Sequence, residues 1–208
     1  MRKPEREKVS VVRDQAPLRA DARRNRDRIL KVAVQHFATR GIDTSLEEIA
    51  KAAQVGSGTL YRHFPTREAL LAAALRSSQD KLLSGAETAR QLPHPGKALQ
   101  TWLQYLQGYL RTFNGLPAPV LVAIKEQASP LAVSCQQLIS TTEEFLAQAQ
   151  QAGQASDRVT ASDLVLGALA TAWIADHVDA LGSSIEALDA LLAYGYLERG
   201  GDPRRQSG

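Results

Sequence analysis

Gly58-Thr59-Leu60-Tyr61-Arg62-His63-Phe64 is the stretch whose reading decides the fold. It places two aromatic rings, a hydroxyl and two basic groups on one short helix, bounded by Gly56 before and Pro65 after. Upstream, Thr44-Ser45-Leu46-Glu47-Glu48 is a helix start signal. Either hydroxyl can cap, and a Glu three residues on can reach back as a capping box. Leu46, Ile49, Ala50 and Ala53 form the inward face of that helix, and Gln54-Val55-Gly56 interrupts it. The pattern is helix, three-residue turn, helix. In that geometry the second helix enters a DNA major groove with its N-terminal residues at the base edges.

Working outward, a first helix is predicted from about Asp21 to Arg40. Ile29, Ala33 and Phe37 recur every four residues beneath a turn rich in arginine (Arg23, Arg24, Arg26, Arg28). Gly41 is placed to stop it, since glycine tolerates the left-handed position after a helix. Pro65-Thr66 is a stop followed by a new cap. A fourth helix is expected from Arg67 to about Thr88, with Leu70, Leu71, Ala74, Leu75 and Leu82 inward. Pro93 and Pro95 mark the boundary to the back half. There the periodicity predicts helices at about Gly96–Phe113, Pro119–Gln127, Pro130–Gln151, Ser162–Asp179 and Ser184–Leu197. The fold class is therefore all-α.

The 208 residues, 44% hydrophobic, suffice for a sizeable core. Residues 1–81 carry 17 Lys/Arg against 10 Asp/Glu, and residues 82–208 carry 8 against 12. A basic front on an acidic back points to a polyanion partner for the front half. The single cysteine, Cys135, excludes an intrachain disulfide framework and reads as a buried hydrophobe. The charged N-terminus has no signal-peptide stretch, and the apolar run Leu164–Ala175 is too short to span a bilayer. A cytoplasmic protein with no membrane partner is expected. His36, His63, His94 and His177 are dispersed, so neither metal site nor cofactor is expected. No nucleophile–base pair or phosphate-cradling glycine loop points to an enzyme.

The residues Arg26–Ile29–Ala33–Phe37–Gly41, Thr44–Ile49–Ala50, Gly58-Thr59-Leu60-Tyr61, His63-Phe64 and Arg67-Glu68-Ala69-Leu70 resemble the TetR family of bacterial transcriptional repressors. The resemblance covers about residues 20–75 and is specific as a set. It implies that Tyr61 and His63 contact phosphates, and that Thr44 or Ser45 does so at the start of the second helix. It places Ser57, Gly58 and Thr59 where family members meet base edges. Arg67 stands where the family usually opens its fourth helix with lysine, and either cation can hold a phosphate. Arg26 and its neighbours can bind backbone or enter the minor groove. Two positions depart from the pattern. Gln54 occupies a turn position commonly glycine, so it must accept that backbone shape or the turn differs. Gly56 stands where Ser or Thr usually caps, and Ser57 can shift the helix start by one residue.

The resulting organisation is a mobile basic tail (1–18), a three-helix helix-turn-helix DNA-binding domain (19–66), a larger helical ligand-binding and dimerisation domain (67–198) and a frayed C-terminus (199–208). The small residues Gly167, Ala168, Ala170 and Ala172 suit a close two-fold interface through about 162–179 and 184–197; the resemblance implies the same. The aromatic stripe Trp102, Tyr105, Tyr109 and Phe113, with Trp173, can line a pocket for a small organic molecule or can be plain core. The expected function is a homodimeric regulator, a repressor released from a palindromic double-stranded DNA operator by a small ligand. The rival reading is a ligand-independent architectural DNA binder.

Overall fold

The computed structural model describes residues 15–177, with 187, 188, 190–193 and 195. The tail before Gln15 and the segment after 195 lie outside the described residues, as does half of the expected last helix. Among the described residues the chain is helical and carries no strand. The elements are α1 (Gln15–Arg40), α2 (Leu46–Ala52), α3 (Ser57–His63), α4 (Arg67–Ser77), α5 (Asp80–Arg90), α6 (Pro95–Leu110), α7 (Pro117–Lys125), α8 (Ala132–Gln151) and α9 (Ala161–His177).

The head is α1–α3 with the start of α4. The 3.6-residue stripe of α1 is buried as its spacing predicts: Ile29, Ala33 and Phe37 are fully inaccessible and meet Ile49, Ala50, Leu60, Phe64 and Leu70. Each such large side chain contributes about 1.5–3 kcal/mol on burial. Gly41 stops α1 with φ +84°. Thr66 caps α4 by accepting the Ala69 N–H at 3.1 Å.

Two expectations about helix extent are corrected. α1 begins at Gln15, about two turns earlier than its apolar stripe suggests, so helical backbone already occupies residues expected in the tail. Those first turns bury nothing from residue 20 to Arg28, which is why no periodicity marks them. The expected helix Arg67–Thr88 is two helices, broken at Ser78-Gln79. Ser77 and Ser78 both donate their hydroxyls back to the Ala74 carbonyl, at 2.7 and 3.2 Å. Side chains that bond the preceding turn compete with the helical ladder and bend it.

The body is built on α6, which packs against α5, α8 and α9, while α7 lies across α8 and α9. Its inward stripe Leu99, Trp102, Leu103, Leu106, Tyr109, Leu110 is buried. α9 starts with a reciprocal cap. Thr160 donates its N–H to the Asp163 carboxylate at 2.9 Å, and Asp163 N–H returns to the Thr160 hydroxyl at 3.2 Å.

Besides α4, which packs on α1 and runs on into the body, head and body meet at the turn after α6. Phe113, just past α6, sets its ring edge-on to Phe37 of α1 at 5.8 Å. The Ile42 N–H donates to the Asn114 carbonyl at 3.0 Å. Gly115, at φ +85°, passes close beneath Ile42, where a Cβ would stand 3.1 Å from its Cγ1.

Candidate nucleic-acid interface and cavities

Ser45 is the N-cap of α2: its hydroxyl oxygen accepts the Glu47 N–H at 3.2 Å and its proton goes to the Glu47 carboxylate at 2.6 Å. The expected capping box with Glu48 does not form, because Glu48 pairs with Arg40 at 3.2 Å instead. The Ser45 hydroxyl, then Glu47's own N–H, hold the Glu47 carboxyl below its ordinary value. Thr44 is buried, and its hydroxyl donates to the Gly41 carbonyl at 2.9 Å. Of the two candidate hydroxyls, Ser45 is the more open one.

The turn explains the first departure from the family pattern. Gln54 sits at φ +54°, the one non-glycine residue at positive φ among those described. A left-handed backbone costs a side-chain-bearing residue roughly 1–2 kcal/mol. The turn keeps its tight shape all the same, with Val55 N–H on the Ala50 carbonyl at 3.0 Å. The second departure also resolves. Gly56 is the N-cap, with no side-chain bond, and α3 starts at Ser57 without a shift in register. A Cβ on Gly56 or Gly58 would meet nothing within 4 Å. The chain's own packing does not demand those glycines; they leave bare backbone on an open face, which permits close approach by another molecule.

On α3, Leu60 is fully buried, and Phe64 just beyond is 3% exposed. The opposite face carries Ser57, Gly58, Tyr61 and Arg62, all exposed, with Thr59 and His63 half-buried at its margins. Tyr61 is 43% exposed. Arg62 is absent from the sequence-based site; its position four residues after Gly58 was the signal for it, since i and i+4 share a helix face. Arg26 stands over the Phe64 ring at 5.5 Å and 3.9 Å from Asp27. Its charge therefore borders the end of α3.

Arg67 has a different position from the one expected of a phosphate-holding cation. Its Nη1 donates to the Ile42 carbonyl at 2.6 Å and the Thr44 carbonyl at 2.7 Å. It clamps the α1–α2 turn from behind, directly before the cap of α2. With the Asn114 carbonyl on the Ile42 N–H, both polar groups of Ile42 are held.

The aromatics expected in one pocket do not converge. Trp102 is core: its Nε1 donates to Thr142 Oγ1 at 2.9 Å, and its ring stacks on Phe145 at 5.6 Å. Phe113 is fully buried at the head–body junction. Trp173 is 48% exposed on α9 and stacks on His177 at 4.2 Å. Tyr105 and Tyr109 do share a cavity, of about 580 Å3, between the α4–α5 break and α6. Tyr109 is buried with its hydroxyl 3.4 Å from the Leu75 carbonyl. Burial pushes that phenol up to about 12, against the bond from Gln79. A separate cavity of about 340 Å3 opens beside Trp102, Arg90 and Thr141. Helical spacing put these rings on one stripe, but a stripe facing a core is mostly filled by its neighbours.

A helix-turn-helix head with an open recognition-helix face, set on a helical body, defines a DNA-binding regulator architecture. Comparisons with known proteins give the family. The model of "Bacterial regulatory proteins, tetR family" matches residues 29–74, and that of "Transcriptional regulator SbtR-like, C-terminal domain" matches residues 94–195. A TetR transcriptional regulator of Streptomyces coelicolor is 31% identical, with a TM-score of 0.55 over 83% of this chain and 98% of that one. One from Mycobacterium vanbaalenii is also 31% identical, with a TM-score of 0.50 over 88% and 100%. The chain belongs to the TetR family, a family of transcriptional regulators and not of enzymes. An HTH-type transcriptional regulator of Staphylococcus aureus is 32% identical over 91 residues, 43% of this chain and 49% of that protein. The match thus spans about half the length of that relative. RolR, solved in complex with the ligand resorcinol, shares the fold at 18% identity, with a TM-score of 0.63 over 90% of this chain and 93% of that one. Among the described residues no helix is long and apolar enough to cross a membrane.

Proposed function

We propose that this chain is a homodimeric, cytoplasmic DNA-binding repressor released from a palindromic operator by a small organic ligand. The observation that carries the reading is the two-sided build of α3. Leu60 and Phe64 anchor it, while Ser57, Gly58, Tyr61 and Arg62 stand exposed, with nothing among the described residues covering them. In this reading Ser57, Gly58 and Thr59 face base edges; Tyr61, His63 and Arg62 hold phosphates, as do Ser45 and Arg26. A Thr hydroxyl and methyl can each read a base. Arg67 and Thr44 act one layer back, by fixing the turn that presents Ser45. A phosphate arriving at Ser45 must displace the Glu47 carboxylate from the hydroxyl, so Glu47 opposes binding there.

Dimerisation is assigned to the outer face of α9. Leu166, Gly167, Ala170 and Trp173 run down it, Leu166 and Trp173 each more than two-fifths exposed. A face of that kind suits a second copy, with Leu192 beside it, 3.8 Å from where a Cβ on Gly167 would stand. Trp173 moves in this reading from ligand pocket to interface, and Trp102 and Phe113 to core; Tyr105 and Tyr109 remain as ligand contacts.

The test is selection of bound fragments from random DNA, followed by alignment. A two-fold motif with half-sites about one helical turn apart supports the reading. Equal binding of unrelated sequences would support the architectural alternative instead.

A further inference from the structure

The notch where α4 breaks into α5 is equipped beyond what a DNA-binding head needs. Ser77, Ser78, Ser84, Tyr105, Tyr109 and Thr112 set six hydroxyls around its cavity of about 580 Å3. Most have already given away their proton. Ser77 and Ser78 donate to the Ala74 carbonyl at 2.7 and 3.2 Å, Ser84 to the Asp80 carbonyl at 2.8 Å, and Tyr109 to the Leu75 carbonyl at 3.4 Å. What these oxygens have left to offer is lone pairs. Asp80 adds a carboxylate acceptor, and Lys81 beside it cancels the charge. With the Gln104 amide, which can donate or accept, the wall is richer in acceptors than in donors and neutral in sum. It also has an aromatic platform. The Tyr105 ring is pressed onto the bare backbone of Gly85, where a Cβ would stand 2.3 Å from its Cγ, and it stays 40% exposed.

We propose that this notch is the effector site, that it takes an uncharged ring molecule bearing several hydroxyl donors, and that filling it weakens DNA binding. The proposal rests on the reading of the chain as a ligand-responsive regulator. The connection to the head is short. Tyr109 ties α6 to the last turn of α4 through the Leu75 carbonyl. Four residues on, Phe113 packs on Phe37, and the Asn114 carbonyl holds the Ile42 N–H at 3.0 Å. Arg67, at the start of α4, holds the Ile42 and Thr44 carbonyls at 2.6 and 2.7 Å. A ligand that spreads α4 from α6 thus acts at both ends of one turn, and that turn carries Ser45. A ring wedged at Tyr105 and Tyr109 changes the spacing of the two elements that grip it.

The test uses full-length protein and DNA selected as above. Gly108 is exposed on the rim of the notch, and a Cβ there meets nothing within 4 Å. Gly108→Leu therefore fills the space while placing a better helix former in α6. It should weaken the selected DNA by about 5-fold or more, the low end of typical coupling, without lowering the urea midpoint. Unchanged affinity overturns the coupling. Calorimetric titration with myo-inositol and with 1,3,5-trihydroxybenzene decides the chemistry and separates alicyclic from aromatic sources. Saturable binding of either, lost in Gly108→Leu, supports the site. Binding of neither, or binding that survives the substitution, overturns it. If Gly108→Leu lowers the midpoint, Tyr105→Ala replaces it in the ligand arm, where loss of binding supports and retention overturns; in the DNA arm saturating 1,3,5-trihydroxybenzene or myo-inositol on the wild type replaces it, where a fall in affinity of about 5-fold or more supports and unchanged affinity overturns. A wild-type protein without sequence-specific DNA affinity would sink the regulator reading itself, which is a different result.

Discussion

The aromatic side chains of the head and of the body differ in how well their spacing foretells which way they face. In the head, Tyr61 stands 43% exposed beside a fully buried Leu60 and a nearly buried Phe64. In the body, Trp102, Tyr109 and Phe113 follow one helical stripe and are all buried, and Trp173 is exposed on a different helix. A motif with a turn of known shape fixes which way a residue faces. Helical spacing alone fixes only that several residues face the same way, not whether core or ligand lies there.

The largest effect that can break this contrast is on stability. Trp102→Ala and Phe113→Ala should each lower the unfolding free energy by about 3–5 kcal/mol in urea titrations, as expected for large rings lost from a packed core. Trp173→Ala should leave the protomer's fold intact and weaken self-association, read by sedimentation. A Trp102→Ala protein of unchanged stability would return that ring to the role of a pocket wall.

Next comes DNA affinity. Replacing Tyr61 and His63 together with alanine should reduce operator binding about 10- to 100-fold, two polar contacts of roughly 1 kcal/mol or more each. The melting temperature should hardly move, because Tyr61 is 43% exposed. A fall in stability with unchanged affinity would make these rings part of the head's core, as in the body.

Much of the head was legible before its geometry was known. The cap at Thr66, the stop at Gly41 and the inward Leu60 follow from local chemistry, and so does the strain at Gln54. What was not legible depended on partners distant in sequence. Arg67 looked like a free cation because nothing local announces the carbonyls of Ile42 and Thr44, more than twenty residues away. Thr44 and Ser45 looked equivalent until the Gly41 carbonyl claimed one hydroxyl. The break at Ser78 was hidden because Leu82 continues the apolar period across it. In the body, the fate of each ring depended on which neighbour reached it: Thr142 for Trp102, Phe37 for Phe113, Gly85 for Tyr105.

Two smaller effects sharpen the head's side of the contrast. Gln54→Gly should stabilise the protein by about 0.5–1 kcal/mol, since glycine accepts φ +54° freely and gives back part of that gain in chain entropy. The check is the urea midpoint, and a loss of stability would mean that the Gln side chain holds the turn. Glu47→Gln should tighten operator binding by about 2- to 5-fold, because it removes one exposed negative charge from beside the incoming phosphate. The same group gives a pH dependence. The Glu47 pKa is lowered on folding from the ordinary 4.5. Its contribution to holding the start of α2 is therefore complete above that value and is lost as pH falls through the lowered one. Amide exchange at the first turn of α2 should report that loss in the wild type and not in Glu47→Gln.

In the proposed function two copies of the exposed α3 face read two half-sites of one duplex, and sedimentation of the protein with the selected duplex checks this. Two chains should load on a two-fold site, with a sharp loss of affinity when one half-site is scrambled. One chain per duplex, or binding indifferent to the scrambled half, would contradict it.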